Sequence, residues 1–147
     1  MSFWKRLFGR RKRSAVQPQR LDYLNEALAL ERQGDYDAAL TSYRLALRDH
    51  PADPRVLQNI AIAFTKTNRY DEAIRHYRRA LEIEPDLAGA HYGIAFLLMK
   101  RGEDDAALEH LRTFLSRPPR GPDADKWVEH AERALAELEQ REQEEDS

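Results

Sequence analysis

The stretches 34–47 (GDYDAALTSYRLAL), 68–81 (NRYDEAIRHYRRAL) and 102–115 (GEDDAALEHLRTFL) align without a gap at a constant offset of 34 residues. The same offset relates Pro51, Pro85 and Pro119, and it relates Gly34, Asn68 and Gly102. Self-similarity at one period of this size marks stacked supersecondary units, each unable to bury its apolar face alone.

Each unit reads as two helices. In the second, Leu57, Ile60, Ala61 and Phe64, and then Tyr70, Ala73, Ile74, Tyr77, Ala80 and Leu81, recur at i, i+3, i+4 spacing. That spacing predicts an amphipathic helix on each side of a short turn. Asp53-Pro54 is a start signal, with the acid as N-cap and the proline in the first turn. Asn68 and the two matching glycines are predicted to take the positive φ that stops a helix. His50-Pro51, Glu84-Pro85 and Pro118-Pro119 end the second helices, because proline restricts the residue before it and breaks the hydrogen-bond ladder.

Period, turn and small-residue pattern together resemble the tetratricopeptide repeat, whose units carry W-x2-L-G-x2-Y, then A-x3-F, then Ala and Pro. The second unit fits best, with Leu57, Ile60-Ala61, Phe64, Ala73, Tyr77, Ala80 and Pro85 in those slots. The first has Tyr23, Ala27, Leu30, Ala39, Tyr43, Ala46 and Pro51, with Glu26 where an apolar residue is usual. The third has His91, Ile94, Ala95, Leu98, Ala107, Leu111 and Pro119, with Phe114 replacing the small Ala. The departures fall in the terminal units, where stacking is one-sided. The resemblance covers about residues 20–119. It implies an all-α, right-handed solenoid of helical hairpins with units 20–53, 54–87 and 88–121. Ala27, Ala61 and Ala95 on first helices, and Ala39, Ala73 and Ala107 on second helices, are expected to let neighbours approach closely.

In that family the first helices line a concave groove that holds an extended peptide or a helix. The resemblance therefore implies a protein or peptide ligand. The groove slots fall on Leu24, Asn25, Leu28 and Glu31, on Gln58, Asn59, Ile62, Thr65 and Lys66, and on Tyr92, Phe96, Met99 and Lys100. Members that bind the acidic C-termini of heat-shock chaperones use a Lys/Arg/Asn carboxylate clamp. Here Asn59 alone matches it, and Leu24, Leu28, Gly89 and Gly93 fill the other clamp slots. An apolar or amphipathic peptide is expected rather than a terminal carboxylate. Gly89 and Gly93 are expected to clear one wall for a ligand backbone.

Charged residues make up 34% of the chain and apolar ones 41%, enough for a core, and no apolar run reaches bilayer-spanning length. The net charge of −2 hides an asymmetry. Residues 1–20 carry seven basic side chains and no acid, which leaves 17 basic against 26 acidic residues, net −9, in 21–147. In the head, Phe3, Trp4, Leu7 and Phe8 share one helical face, with Lys5, Arg6 and Arg10 opposite and Arg11, Lys12 and Arg13 following Gly9. Aromatics facing basic residues fit a basic amphipathic segment, 1–18, that attaches peripherally to an anionic membrane surface, on the cytoplasmic side. Two other readings stay open: a nucleic acid or import factor bound by the basic cluster, and a helix docked on a protein or a solvated tail. Four large apolar residues are not needed for phosphate contacts, which favours the membrane over nucleic acid. Ser2 stands where myristoylation requires glycine and the chain has no Cys, so neither myristoylation nor palmitoylation is expected, and no secretory signal is read.

At the other end, a capping helix is expected over 122–143, followed by an acidic tail, 144–147. Trp127, Val128, Ala131, Ala134, Leu135 and Leu138 form its apolar stripe, and the charged run after Leu138 is expected to fray. Arg112, Phe114 and Leu115 are either stacking surface or an exposed patch, and the oligomeric state stays open. No catalytic function, cofactor or metal is expected. The absence of Cys excludes disulfides and thiolate sites. His50, His76, His91, His110 and His130 form neither H-E-x-x-H nor an i, i+4 pair, and His76 and His110 read as solvated surface residues.

Overall fold

The computed structural model describes residues 22–147. The basic head, with Phe3, Trp4, Lys5, Arg6, Leu7, Phe8, Arg10, Arg11, Lys12 and Arg13, lies outside the described residues. Seven helices follow one another: α1 (Tyr23–Arg32), α2 (Tyr36–Asp49), α3 (Pro54–Lys66), α4 (Tyr70–Ile83), α5 (Ala88–Lys100), α6 (Asp104–Ser116) and α7 (Ala124–Glu145). The first six form three hairpins, each helix packing on the next, and α7 packs on α6. Among the described residues there is no strand.

The turn inside every hairpin is built the same way. Gly34, Asn68 and Gly102 take φ of 79°, 60° and 74°. At the middle turn the Arg69 N–H donates to the Phe64 carbonyl at 2.8 Å and the Asn68 N–H to the Thr65 carbonyl at 3.1 Å. Asp35 with Gly34, and Glu103 with Gly102, repeat this pattern. It is the Schellman arrangement, in which a left-handed residue turns the chain so that carbonyls left over by the helix find donors. Asparagine tolerates that conformation nearly as well as glycine. The helix starts are also set locally. Asp22, Asp35 and Asp53 accept backbone N–H bonds from Asn25, Ala38 and Arg55. Pro54 stands in the first turn of α3, where its missing N–H costs nothing.

The repeated alanines sit at the helix crossings. Ala27, Ala61, Ala95, Ala39, Ala73 and Ala107 are all 0% exposed. A larger side chain at any of them would push two backbones apart. Between them pack Tyr43, Leu57, Phe64, Ile74, Ile94 and Leu111, all buried, in a core that runs the length of the stack. Glu26, in the slot usually apolar, is exposed because no helix among the described residues stacks before α1.

Helix α7 closes the other end. Ala131, Ala134 and Leu138 are buried against α6, with Val128 and Leu135 half-buried beside them. Phe114 is buried, Leu115 packs at the core edge, and Arg112 pairs with Glu139 of α7 at 3.3 Å. This trio is therefore stacking surface. Two expectations differ from the structure. The helix continues past Leu138 to Glu145, and Arg141 reaches Asp104 on α6 at 3.8 Å. Trp127 does not join the buried stripe but stands 50% exposed, one turn ahead of it and facing the concave side of the stack.

Candidate functional site

The first helices of the second and third hairpins, α3 and α5, face the start of α7 across a hollow. Between them lies a concave pocket of about 660 Å³. One wall is α3, through Gln58, Ile62, Thr65 and Lys66. The base is α5, through Gly89, Tyr92, Gly93, Phe96 and Lys100. The far wall is the loop with Pro119 and Arg120 and the start of α7, with Ala124, Trp127 and His130. Tyr77 of α4 and Phe114 of α6 reach in from the second helices.

Of the residues predicted for the groove, Gln58, Ile62, Thr65, Lys66, Tyr92, Phe96 and Lys100 line this pocket. Asn59 and Met99 do not, nor do Leu24, Asn25, Leu28 and Glu31 of α1. Leu24 and Leu28 pack at the edge of the core. Asn25 donates its backbone N–H and side-chain amide to the N-cap Asp22, and Glu31 accepts a 2.7 Å hydrogen bond from the Tyr43 hydroxyl. The pocket therefore lies toward the C-terminal end of the stack. The reason is that α7 supplies a third wall there, while α1 has no equivalent neighbour among the described residues.

Aromatic rings dominate the C-terminal side. Tyr92 lies edge-on to Trp127 with centroids 5.1 Å apart, and tilted against Phe96 at 4.8 Å and Phe114 at 5.2 Å. Phe96 stacks on the His130 imidazole at 4.4 Å with planes 3° apart. The Tyr92 hydroxyl is hydrogen-bonded to His130 Nδ1 at 2.5 Å. These contacts fix the α5–α7 geometry: residue 92 meets 127 and residue 96 meets 130, so the two helices run parallel. Sequence patterning shows Trp127 and His130 on a helix, but not that one turn of α7 faces α5.

The glycines do not leave empty space. A Cβ on Gly93 would clash with the Tyr77 hydroxyl and the ring carbon that bears it, and one on Gly89 would stand 2.6 Å from the Gln58 amide nitrogen. The wall expected to be cleared for a ligand backbone is occupied by the protein's own side chains. Gly93 is required by that close approach. Burial pushes the Tyr77 hydroxyl up to about 12. It raises Tyr92 as well. Both phenols are held further from ionisation than in water, the opposite of an activated nucleophile.

The charge of the lining is one-sided. Lys66, Lys100 and Arg120 line it, and no Asp or Glu does. Lys100 donates to the Tyr70 hydroxyl at 3.0 Å and sits 4.6 Å above that ring. Lys66 and Arg120 have no ion-pair partner among the described residues. Gln58 Oε1 is buried with no hydrogen-bond partner. Among the described residues no group of three or more His, Asp or Glu is placed to hold a metal ion. No described helix is long and apolar enough to cross a membrane.

Away from the pocket, two histidines read as solvated from sequence are half-buried. His76 packs on Phe64 at 5.2 Å and bonds the Glu72 carbonyl at 2.7 Å. His110 meets His91, Nδ1 to Nδ1, at 3.0 Å, and His91 Nε2 donates to the Pro85 carbonyl at 2.6 Å. That carbonyl only accepts, so neutral His91 presents Nδ1 as acceptor to a proton on His110 Nδ1. The two lie on adjacent helices, so linear spacing gives no sign of the pair.

Two family models described as tetratricopeptide repeat match residues 24–88 and 65–126. The chain belongs to the tetratricopeptide repeat family. No curated protein matches it. Solved structures of similar fold include the Yersinia enterocolitica type III secretion chaperone SycD in complex with a peptide of the translocator YopD. It has 16% identity and a TM-score of 0.76, over 82% of this chain and 92% of that one. The TPR2B domain of yeast Sti1 in its pHsp70 complex has 21% identity and a TM-score of 0.71, over 82% and 95%. The second TPR domain of human RPAP3, in complex with an HSP70 peptide, has 18% identity and a TM-score of 0.68, over 81% and 93%. At these identities the likeness concerns the fold of the tetratricopeptide stack.

Proposed function

We propose that the chain is a non-catalytic protein-interaction adaptor that holds a peptide segment of its partner in the trough between α3, α5 and α7. The observation that carries this reading is the trough itself: about 660 Å³, walled by aromatic rings, with no carboxylate in its lining. A site of this size is large enough to enclose several side chains. Its charged groups are the cations Lys66, Lys100 and Arg120, and burial makes the Tyr92 phenol less acidic than in water, which favours binding over nucleophilic chemistry. The peptide complexes of SycD and RPAP3 and the pHsp70 complex of Sti1, which share the fold, support the reading. Crosslinking capture from native cells, with the wild type beside Phe96→Glu, tests it. A partner caught by the first and lost by the second, with the far-UV spectrum unchanged, is expected. Equal capture by both removes the trough from the interaction.

The sequence of the head supports a second element of this proposal. Phe3, Trp4, Leu7 and Phe8 opposite Lys5, Arg6 and Arg10, followed by the basic Arg11–Arg13 cluster, would give reversible attachment to an anionic leaflet on the cytoplasmic face. Flotation with anionic vesicles is expected for the full chain and not for one lacking residues 1–18. Equal flotation of the two removes the tether. A mobility shift on RNA that survives replacement of Phe3, Trp4 and Leu7 assigns the head to nucleic acid instead.

A further inference from the structure

The trough has a direction, and its charges are placed at its two ends. Because Tyr92 meets Trp127 and Phe96 meets His130, α7 starts beside the start of α5. Arg120 and Ala124 therefore stand at the Gly89 end. Lys66 and Lys100 close α3 and α5 at the opposite end. The twelve helical steps from Ala88 to Lys100 span about 18 Å at 1.5 Å per residue. The aromatic cluster of Tyr92, Phe96, Phe114 and Trp127 occupies the middle.

Resting on the adaptor reading above, we infer that the trough takes an internal acidic segment: one aromatic or large aliphatic side chain set against the rings, with Asp or Glu on both sides of it. Charge complementarity selects this occupant. The lining has Lys66, Lys100 and Arg120 and no acid, whereas residues 21–147 as a whole are net −9. A cationic trough in an acidic body concentrates its field on an anionic ligand and repels a basic one. The chain's own head is basic and apolar, so its charge is wrong for this trough. The exposed Trp127 face leaves an apolar surface for an anchor that enters against Tyr92 and Phe96. The buried, unpartnered Gln58 carbonyl at the Gly89 end can turn outward to accept a backbone N–H from the ligand. An extended segment covers about 18 Å in five or six residues. The anchor therefore sits at the centre and the acids two or three positions away. No free C-terminus is required, because the space at Gly89 and Gly93 is filled by Gln58 and Tyr77.

The test is selection of a random library of displayed 12-residue peptides, with blocked C-termini, on the full-length protein. Enriched peptides are expected to carry Asp or Glu on both sides of a Phe, Trp, Tyr, Leu or Ile. Affinity for the best of them is expected to fall about tenfold in Lys66→Glu/Lys100→Glu and in Trp127→Ala, and to weaken as salt rises. All three positions are exposed, and an unchanged thermal midpoint confirms that the variants fold. Enriched peptides without an acidic excess overturn this inference while leaving the adaptor reading intact. So does competition by a peptide of residues 1–13 as strong as that of the acidic one. No enrichment at all, against a positive control, removes both.

Discussion

Phe96 on α5 and His130 on α7 lie face to face, 4.4 Å between centroids and 3° between planes. This stack joins the last tetratricopeptide unit to the capping helix and forms the back of the trough. Replacing Phe96 with Glu removes the ring and places a carboxylate where the lining has none. Capture of the partner is expected to be lost, with helical content retained because Phe96 lies at the edge of the core. Unfolding of this variant would instead make Phe96 a core residue first and a binding residue second. Circular dichroism beside the capture assay separates the two.

Gly93 is expected to be intolerant of even one methyl group. A Cβ there clashes with the hydroxyl end of Tyr77, so Gly93→Ala is expected to destabilise by about 1–3 kcal/mol through overpacking. If this contact is the cause, Tyr77→Leu made alongside it relieves part of the cost. The double-mutant cycle from urea titrations then gives a coupling of about 0.5 kcal/mol or more. Additive effects would place the strain elsewhere.

Ala73 lies at the crossing of α4 with its neighbours and is fully buried. Ala73→Glu adds volume and an unpaired charge there, so a loss of about 3 kcal/mol or more is expected. Urea denaturation monitored by far-UV circular dichroism measures it. A change under about 1 kcal/mol would mean the helices can separate freely, contrary to close packing of the stack.

The His91–His110 contact predicts a pH dependence. Burial first, and then the charges of His91 and Arg78, lower the His110 pKa, with Glu109 acting in the opposite direction. The unfolded chain, with His110 near the usual 6.5, binds this proton more readily than the folded chain does. Its contribution to stability is thus complete above about pH 6.5 and is lost as pH falls toward the folded value. Thermal midpoints measured from about pH 7.5 down to about 5 are expected to fall more steeply for the wild type than for His110→Gln. Parallel curves would show that the pair carries no linkage.

The repeated architecture was legible because it is written in local chemistry. Gly34, Asn68 and Gly102 stop the first helices by backbone conformation alone, and the alanines mark the crossings by size. The candidate pocket was only half legible. Ile62, Tyr92 and Phe96 follow from their repeat slots, but Trp127 and His130 belong to the cap, and their role depends on which face of α7 turns toward α5. Gly89 and Gly93 were misread for a related reason. Their missing side chains are visible in the sequence, whereas Gln58 and Tyr77 filling the space arrive from other helices. The His91–His110 pair and the place of the pocket between α3, α5 and α7 are likewise properties of three-dimensional neighbours, not of spacing.

If the concave trough between α3, α5 and α7 is the binding surface, a ligand perturbs its lining before any other part of the stack. A heteronuclear NMR titration of the full-length protein with the best selected peptide tests it most directly. The largest shifts are expected on the amides of Gly89, Gly93 and Phe96 and on the Trp127 indole, with α2 and the exposed face of α4 around Arg75 unmoved. Shifts concentrated at Arg75 or along α2, with the Trp127 indole unchanged, would contradict it.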